Sequence, residues 1–321
     1  MAVYTEVSDT ELNAFLGAFD LGRVLSFKGI AEGVENSNFY LRMENGSYFL
    51  TLYEKRVREG DLPFFLGLLE HLAGKGIPCP LPVRARDGRA RRELNGRQAA
   101  IVTYLSGLSP RKPDASQCGE LGAALARLHL AGADYSLHRA NALSVEGWRP
   151  LASACDAKAN SVRMGLATLI AVELAWLEQH WPRGLPEGVI HADLFPDNVF
   201  FMEGRISGLF DFYFACNDAL AYDVGVCLNA WCFEGDGSFN VTKGRALLSC
   251  YRAVRPLAPI EVAALPILAR GAALRFLLTR LYDWINRDPA ALVTAKDPLE
   301  YLTKLRFHQS ARGAASYGWP E

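Results

Sequence analysis

The groups best suited to chemistry are His191-Ala192-Asp193-Leu194-Phe195-Pro196-Asp197-Asn198 and the aspartate of Leu209-Phe210-Asp211-Phe212. Asp193 and Asn198 stand at D-x-x-x-x-N spacing, which phosphoryl-transfer loops use. Asp211 follows Asn198 by thirteen positions, at the end of an apolar run. Phosphoryl transfer asks a protein for an oriented hydroxyl, a bound metal and neutralised phosphate charge, with little covalent work. A carboxylate beside the hydroxyl can orient it and accept its proton, the role expected of Asp193. Mg²⁺ prefers oxygen ligands and keeps several waters, so one carboxylate and one amide suffice beside the phosphates. Asp211 and Asn198 are the candidate ligands. His191 is expected to hold the loop by hydrogen bonds rather than to act as a base. The tripeptide His-x-Asp is common, and Asp and Asn often cap turns. Asn198 and a hairpin-spaced Asp211 are what shift the reading to phosphotransfer.

Positioning these groups requires Asn198 and Asp211 to meet. Val199-Phe200-Phe201, the turn-like Met202-Glu203-Gly204-Arg205 and then Ile206 read as a short hairpin that joins them. Upstream, Ser8 and Glu11 form a capping-box pattern ahead of Leu12, Phe15, Leu16 and Phe19 at helical spacing. Phe39, Leu41 and Met43 alternate, Asn45-Gly46 turns, and Tyr48, Leu50 and Leu52 alternate again, a hairpin signature. A helix begins at Asp61 and ends in the Ile77–Pro82 run. Asp87-Gly88 and Asn95-Gly96 separate further short strands, the last from Ala99 to Leu105. Leu105-Ser106-Gly107-Leu108-Ser109-Pro110 then breaks the pattern like a hinge. Helical patterns follow at Leu121–Leu128, about Ser161–His180, Leu220–Trp231, Gly244–Arg252, Ile260–Trp284 and Leu299–His308. The expected class is α+β, with a β-rich lobe over 1–105 and a larger, mainly helical lobe over 106–321.

The chain has 321 residues, half of them hydrophobic, enough for two domains or one large two-lobed one. A net charge of −1 points neither to nucleic acid nor to an anionic membrane. The N-terminus lacks a basic region followed by an apolar run, so no signal peptide is expected. No unbroken stretch of about 18 apolar residues suggests a membrane span. Seven cysteines without C-x-x-C pairs fit a reduced cytoplasmic protein without structural zinc.

Other positions leave alternatives open. Gly29 and Gly33 flank a loop whose backbone amides could cover phosphates, and a plain hairpin loop accounts for them equally well. No Gly-Lys-Ser/Thr follows, so this is not a Walker A motif. Asp223 either accepts hydrogen bonds from the catalytic loop or is a helix-start residue beside the dipole. His129, on a packed helix, reads as a core or surface histidine, and Trp231 reads as core. Arg275 and Arg280 on an apolar helix are ordinarily paired or snorkelling, although either could clamp a carboxylate. A metal hydrolase built on His191 and Asp193 would need further His or Cys ligands.

The β-rich then helical order, with His191-Ala-Asp193-x4-Asn198 and Asp211, resembles the aminoglycoside phosphotransferase/choline kinase group of protein-kinase-like folds. Glu32-Gly33-Val34-Glu35-Asn36-Ser37-Asn38-Phe39-Tyr40, Leu50-Thr51-Leu52-Tyr53-Glu54, Asp211-Phe212-Tyr213-Phe214-Ala215-Cys216-Asn217-Asp218, Leu228-Asn229-Ala230-Trp231-Cys232-Phe233 and Leu274-Arg275-Phe276 narrow the resemblance to the ThrB-type homoserine kinases of proteobacteria. The resemblance implies transfer of phosphate from ATP to homoserine in threonine biosynthesis, with Mg²⁺. It implies Asp193 as base, Asn198 and Asp211 as metal ligands, and adenine near Thr103, Tyr104 and Leu105. Gly29, Gly33 and Asn36 are expected near the nucleotide. Thr51 occupies the place of the usual phosphate-binding strand lysine, with Lys55 or Arg42 as substitutes and Asp61 as the nearest acidic partner. A catalytically silent nucleotide-binding protein would share that feature. Homoserine needs a cation for its carboxylate and an anion or carbonyls for its ammonium; Tyr213, Asn217, Asp218 and Arg275 are the candidates.

Overall fold

A computed structural model describes residues 5–30, 36–54, 58–287 and 296–319. Described residues through Ser106 form one unit, and those from Gly107 onward form a second.

In the first unit, Ser8 caps helix α1 (Asp9–Leu16). Its hydroxyl accepts from the Glu11 N–H, and the Glu11 carboxylate accepts from the Ser8 N–H, so two helix-start donors are satisfied reciprocally. Leu12, Phe15 and Leu16 pack against a sheet of β1 (Val24–Gly29), β2 (Ser37–Met43), β3 (Gly46–Leu52), then, after helix α2 (Leu62–Gly74), β4 (Arg91–Leu94) and β5 (Arg97–Thr103). All pairs are antiparallel and the order is β1-β2-β3-β5-β4. Phe39, Leu41 and Met43 point to one core because strand side chains alternate faces. The first hairpin turns one residue earlier than expected. Met43 pairs with Gly46, which leaves Glu44-Asn45 as the turn and puts Gly46, at φ 146, at the start of β3. Asn95-Gly96 does form the two-residue turn, with φ of 52 and 70, the left-handed pair such a hairpin needs. Residues around Asp87-Gly88 make a turn but join none of the five strands.

The second unit holds α3 (Ala115–Ala131), α4 (Val145–Val162), α5 (Leu166–His180), β6 (Glu187–Ile190), β7 (Val199–Met202), β8 (Arg205–Leu209), β9 (Cys216–Ala219), α6 (Leu220–Trp231), α7 (Val241–Val254), α8 (Pro259–Ile285) and α9 (Leu299–Ser310). The helix expected over about 161–180 starts later, as α5 at Leu166, and α4 ahead of it has no counterpart in the sequence reading. Gly165, at φ 78, breaks the chain before α5. Helix α4 buries only Val145, Trp148, Cys155 and Ala159, and its mostly small and polar residues, with Pro150 inside, give few large apolar positions to mark it. Among the described residues, α8 alone is long and apolar enough to cross a membrane, with a mean hydropathy of 1.5 over 18 residues. Yet 67% of that window is buried inside the protein, against α4, α6 and α9, as befits a core helix. Its charges interrupt the apolar run, and one of them, Arg270, pairs with the buried Glu173.

Helices α3 and α7 pack closely at Gly122, where an added Cβ would lie 2.1 Å from the Leu247 carbonyl oxygen. Backbone cannot yield as a side chain does. Gly122→Ala is therefore expected to lower the unfolding free energy by about 1–3 kcal/mol. A shift of the denaturant midpoint at unchanged slope reads this; an unmoved midpoint would mean that the two helices separate freely.

Candidate active site

Strand β6 delivers the chain to His191, and β6 and β9 form an antiparallel ladder ending at the Ile190–Cys216 pair. The loop beyond is held from below by helix α6. Asp223, fully buried there, accepts from the backbone N–H of His191 at 2.7 Å and of Ala192 at 2.9 Å. Both donors reach one carboxylate while Ala192 adopts φ 61, a left-handed conformation that costs a non-glycine residue about 1 kcal/mol or more. The Ala192 carbonyl in turn accepts from the Arg275 guanidinium of α8. The indole N–H of Trp231 donates to the Leu194 carbonyl at 2.7 Å. Three helix side chains thus fix consecutive peptides of the loop.

Asp223 is itself oriented. His129 of α3 donates from Nε2 to the Asp223 carboxylate at 3.2 Å. Its Nδ1 accepts from the Tyr251 hydroxyl at 2.7 Å, and Arg255 donates to that hydroxyl oxygen while pairing with Glu261. Burial opposes the charge of Asp223, but the bonds from His129 and the His191 backbone outweigh it and hold its pKa below the ordinary aspartate range. It stays an anion, which is what two N–H donors and an imidazole N–H require.

His191 donates from Nε2 to the Phe210 carbonyl at 2.8 Å and accepts at Nδ1 from the Asp193 N–H at 3.3 Å. Only the neutral Nε2–H imidazole satisfies both bonds, and burial pushes its pKa below the usual histidine range. His191 is a strut between the loop and the end of β8.

The Asp193 side chain is 18% exposed. Burial raises its pKa, opposed by the nearby charges of Arg275 and Lys296 and by the Asn198 amide. The Asn198 side-chain nitrogen donates to the Asp193 carbonyl at 2.8 Å and approaches its carboxylate at 3.4 Å. Its carbonyl oxygen is the hard donor that a divalent cation prefers. The β7–β8 hairpin turns at Glu203-Gly204, with φ of 51 and 76, and the Phe210 N–H donates to the Asn198 carbonyl at 2.9 Å. Both ends of the hairpin therefore come together, and Asp211 follows at once. Asp211 is exposed and sits at φ 59, a conformation that aspartate tolerates better than most residues. Among the described residues, no group of three or more His, Cys, Asp or Glu gathers to hold a metal. Two oxygen donors completed by phosphate and water fit Mg²⁺.

The expected acceptor residues lie elsewhere than a single clamp. Tyr213 lies in the single turn Phe212–Phe214 after Asp211. Asn217 accepts from the Arg139 N–H at 3.0 Å, and Asp218 accepts from the Asn141 amide at 2.6 Å. Both line a cavity of about 520 Å³ together with Glu146, Glu178, Trp181 and Arg183. In the β6–β9 ladder Asn217 and Asp218 pair with Val189 and Gly188, stepping back from the catalytic loop. Arg275, expected as a carboxylate clamp, has a 2% exposed side chain, is bonded to Ala192 and lies 3.8 Å from Asp193. It is a loop-positioning residue.

In the first unit, Gly29 ends β1 opposite Phe39, and Asn36 is buried with its carbonyl accepting from the Glu54 N–H. Gly33 and Lys55 lie outside the described residues. Thr51 donates to Asn38 at 2.8 Å, and Arg42 donates to Ser47 at 2.9 Å. Asp61 stands at the start of α2. An unforeseen cation–carboxylate pair joins Arg97 to Glu54 at 3.2 Å. Thr103 closes two bonds with Leu81, and the Tyr104 ring packs on Tyr40 and Phe49. Leu105 follows, half-buried.

Residues 26–257 match the model of the phosphotransferase enzyme family. A homoserine kinase of Xanthobacter autotrophicus is 65% identical over 99% of this chain and 99% of its own. One from Sinorhizobium medicae is 61% identical over 99% and 98%. Amicoumacin kinase hAmiN, solved with AMP-PNP, Ca²⁺ and Ami, superposes with a TM-score of 0.72 at 15% identity, covering 96% of this chain and 95% of its own. That likeness shows the kinase-like fold, an N-terminal antiparallel sheet followed by a mostly helical part. With the family model spanning most of the chain and curated relatives matching it end to end, the chain belongs to the phosphotransferase enzyme family, among its homoserine kinases.

Proposed function

We propose that this protein transfers the γ-phosphate of ATP to the side-chain hydroxyl of homoserine, the activation step of threonine biosynthesis. One observation carries the choice of acceptor: relatives named homoserine kinase share 61–65% identity over essentially the full length. The phosphoryl-transfer chemistry draws its support from the loop itself. Asp193 orients the hydroxyl and takes its proton as the new ester bond forms. Asn198 keeps that carboxylate in place through its amide nitrogen, and Arg275 and Asp223 keep the loop from relaxing. Asn198 and Asp211 would hold Mg²⁺, which when bound neutralises phosphate charge and orients the phosphates. Thr103, Tyr104 and Leu105 are proposed to take adenine, and the chain from Gly29 through Gly33 to Asn36 to take phosphate. Lys55 or Arg42 supplies the cation that Thr51 does not.

Asp211→Ala is expected to abolish the Mg²⁺-dependent part of ATP binding, because it removes the carboxylate of the proposed ligand pair and leaves only the Asn198 amide. Isothermal titration with and without Mg²⁺ checks this; an unchanged metal dependence would remove Asp211 from the ligand set. The acceptor is tested by ADP release against homoserine, choline, aminoglycosides and methylthioribose. Homoserine alone should turn over at high kcat/KM. Release with none of them would favour a silent nucleotide-binding protein.

A further inference from the structure

Homoserine is a zwitterion at neutral pH, and its hydroxyl lies two methylene groups from the carbon bearing both charges. Whatever orients the hydroxyl at Asp193 must therefore meet an ammonium and a carboxylate close by. Arg275 is buried and bonded to the loop. Arg280, 12% exposed, donates to Glu300 and to the Asp297 carbonyl. Lys304, 7% exposed, is held by the Asn229 carbonyl and Glu300. Each is committed to the protein.

Lys296 differs. Its ammonium lies 3.1 Å from the Asp197 carboxylate, and the two side chains are 60% and 73% exposed. Asp197 belongs to the catalytic loop itself, between Asp193 and Asn198. The Lys296 ammonium also stands 5.6 Å from the centre of the Phe195 ring, which packs edge-on against Phe276 at 4.9 Å. A loop aromatic thus steadies the cation. The charge of Lys296 acts on Asp193 through space. An ion pair this exposed contributes little to stability, so exchanging it for a ligand's charges costs little.

We propose that Lys296 and Asp197 form the subsite for the amino-acid end of the acceptor, Lys296 for its carboxylate and Asp197 for its ammonium. The pair opens to admit the zwitterion, and each charge exchanges its neighbour for the oppositely charged group of the substrate. This proposal rests on the homoserine reading and names the residues that give it specificity. No catalytic role follows for either residue; both act on binding, so their loss raises KM rather than lowering kcat.

Three acceptors separate the charges: homoserine, 3-aminopropan-1-ol, which lacks the carboxylate, and 4-hydroxybutyrate, which lacks the ammonium. Steady-state kinetics on the full-length protein should show Lys296→Gln raising KM for homoserine and 4-hydroxybutyrate at least ~tenfold, the loss of one charge-assisted contact. KM for 3-aminopropan-1-ol and for ATP should stay put, and Lys296→Arg should restore most of the homoserine KM. Asp197→Asn should raise KM for the two amines and spare 4-hydroxybutyrate. A wild-type homoserine KM in Lys296→Gln, or an equal rise for all three acceptors, would overturn the subsite. Failure of the homoserine reading is distinguishable, because the wild-type protein would then not phosphorylate homoserine before any variant is made.

Discussion

Asp193→Asn should lower kcat by ~100- to 10,000-fold while ATP binding persists. The amide keeps the shape of the carboxylate but cannot accept the hydroxyl proton. The surrounding loop does not depend on that carboxylate for its position. Its peptides are tied to Asp223, Arg275 and Trp231, and the Asn198 amide has the Asp193 carbonyl as well. Nucleotide affinity measured by titration should therefore be near the wild-type value. Burial raises the Asp193 pKa, and a base works only when deprotonated, so turnover of the wild type should fall as pH drops through that raised value. Turnover retained within about tenfold in the variant would mean that another group accepts the proton, and no proton-transfer role would be left for Asp193.

Asp223→Ala should be the most damaging change away from the reacting atoms. It strips the His191 and Ala192 N–H groups and His129 of their shared acceptor. Removing one partner from a buried charged network costs about 3–5 kcal/mol. The strained Ala192 backbone, with φ 61, then loses what holds it. Both a lowered unfolding free energy and a loss of kcat are expected, since Asp193 adjoins Ala192 in the chain. Asp223→Asn should be milder in stability, because one oxygen acceptor remains. If Asp223→Ala unfolded at the wild-type denaturant concentration, the carboxylate could not be what sets the loop.

The proposed phosphotransfer centre can be laid out from the sequence because its parts are close along the chain. Asp193, Asn198 and Asp211 are joined by a loop and one tight hairpin, and the Glu203-Gly204 turn is a local signal. The sheet of the first unit was legible for the same reason, apart from the one-residue shift at Glu44-Asn45, where Gly46 serves the strand rather than the turn, and the Asp87-Gly88 turn, which joins none of the strands. What sequence reasoning left open depends on partners far along the chain. Asp223 holds the loop through the His191 and Ala192 N–H groups, 32 and 31 positions away, and is oriented by His129, 94 positions away. Arg275 meets Ala192 across 83 positions, Trp231 is fixed to Leu194 across 37, and Lys296 meets Asp197 across 99. The sequence marks Trp231 as core, correctly, and leaves His129 as a core or surface histidine; it says nothing about which polar atom each one offers. Strands β6 and β9, four residues each, are too short to stand out. Helix α4 is rich in small and polar residues and holds Pro150, so little in its sequence marks a buried helix.

The central claim is that phosphate passes from ATP to the hydroxyl of homoserine. Incubation of the wild-type protein with MgATP and homoserine, followed by ³¹P NMR and mass spectrometry of the amino-acid product, tests it most directly. The expected product carries one phosphoester whose phosphorus couples to the side-chain methylene protons, and its formation matches ADP release mole for mole. Unmodified homoserine, with the phosphoryl group passed only to water or to another alcohol of the acceptor panel while ADP is released, would overturn this reading.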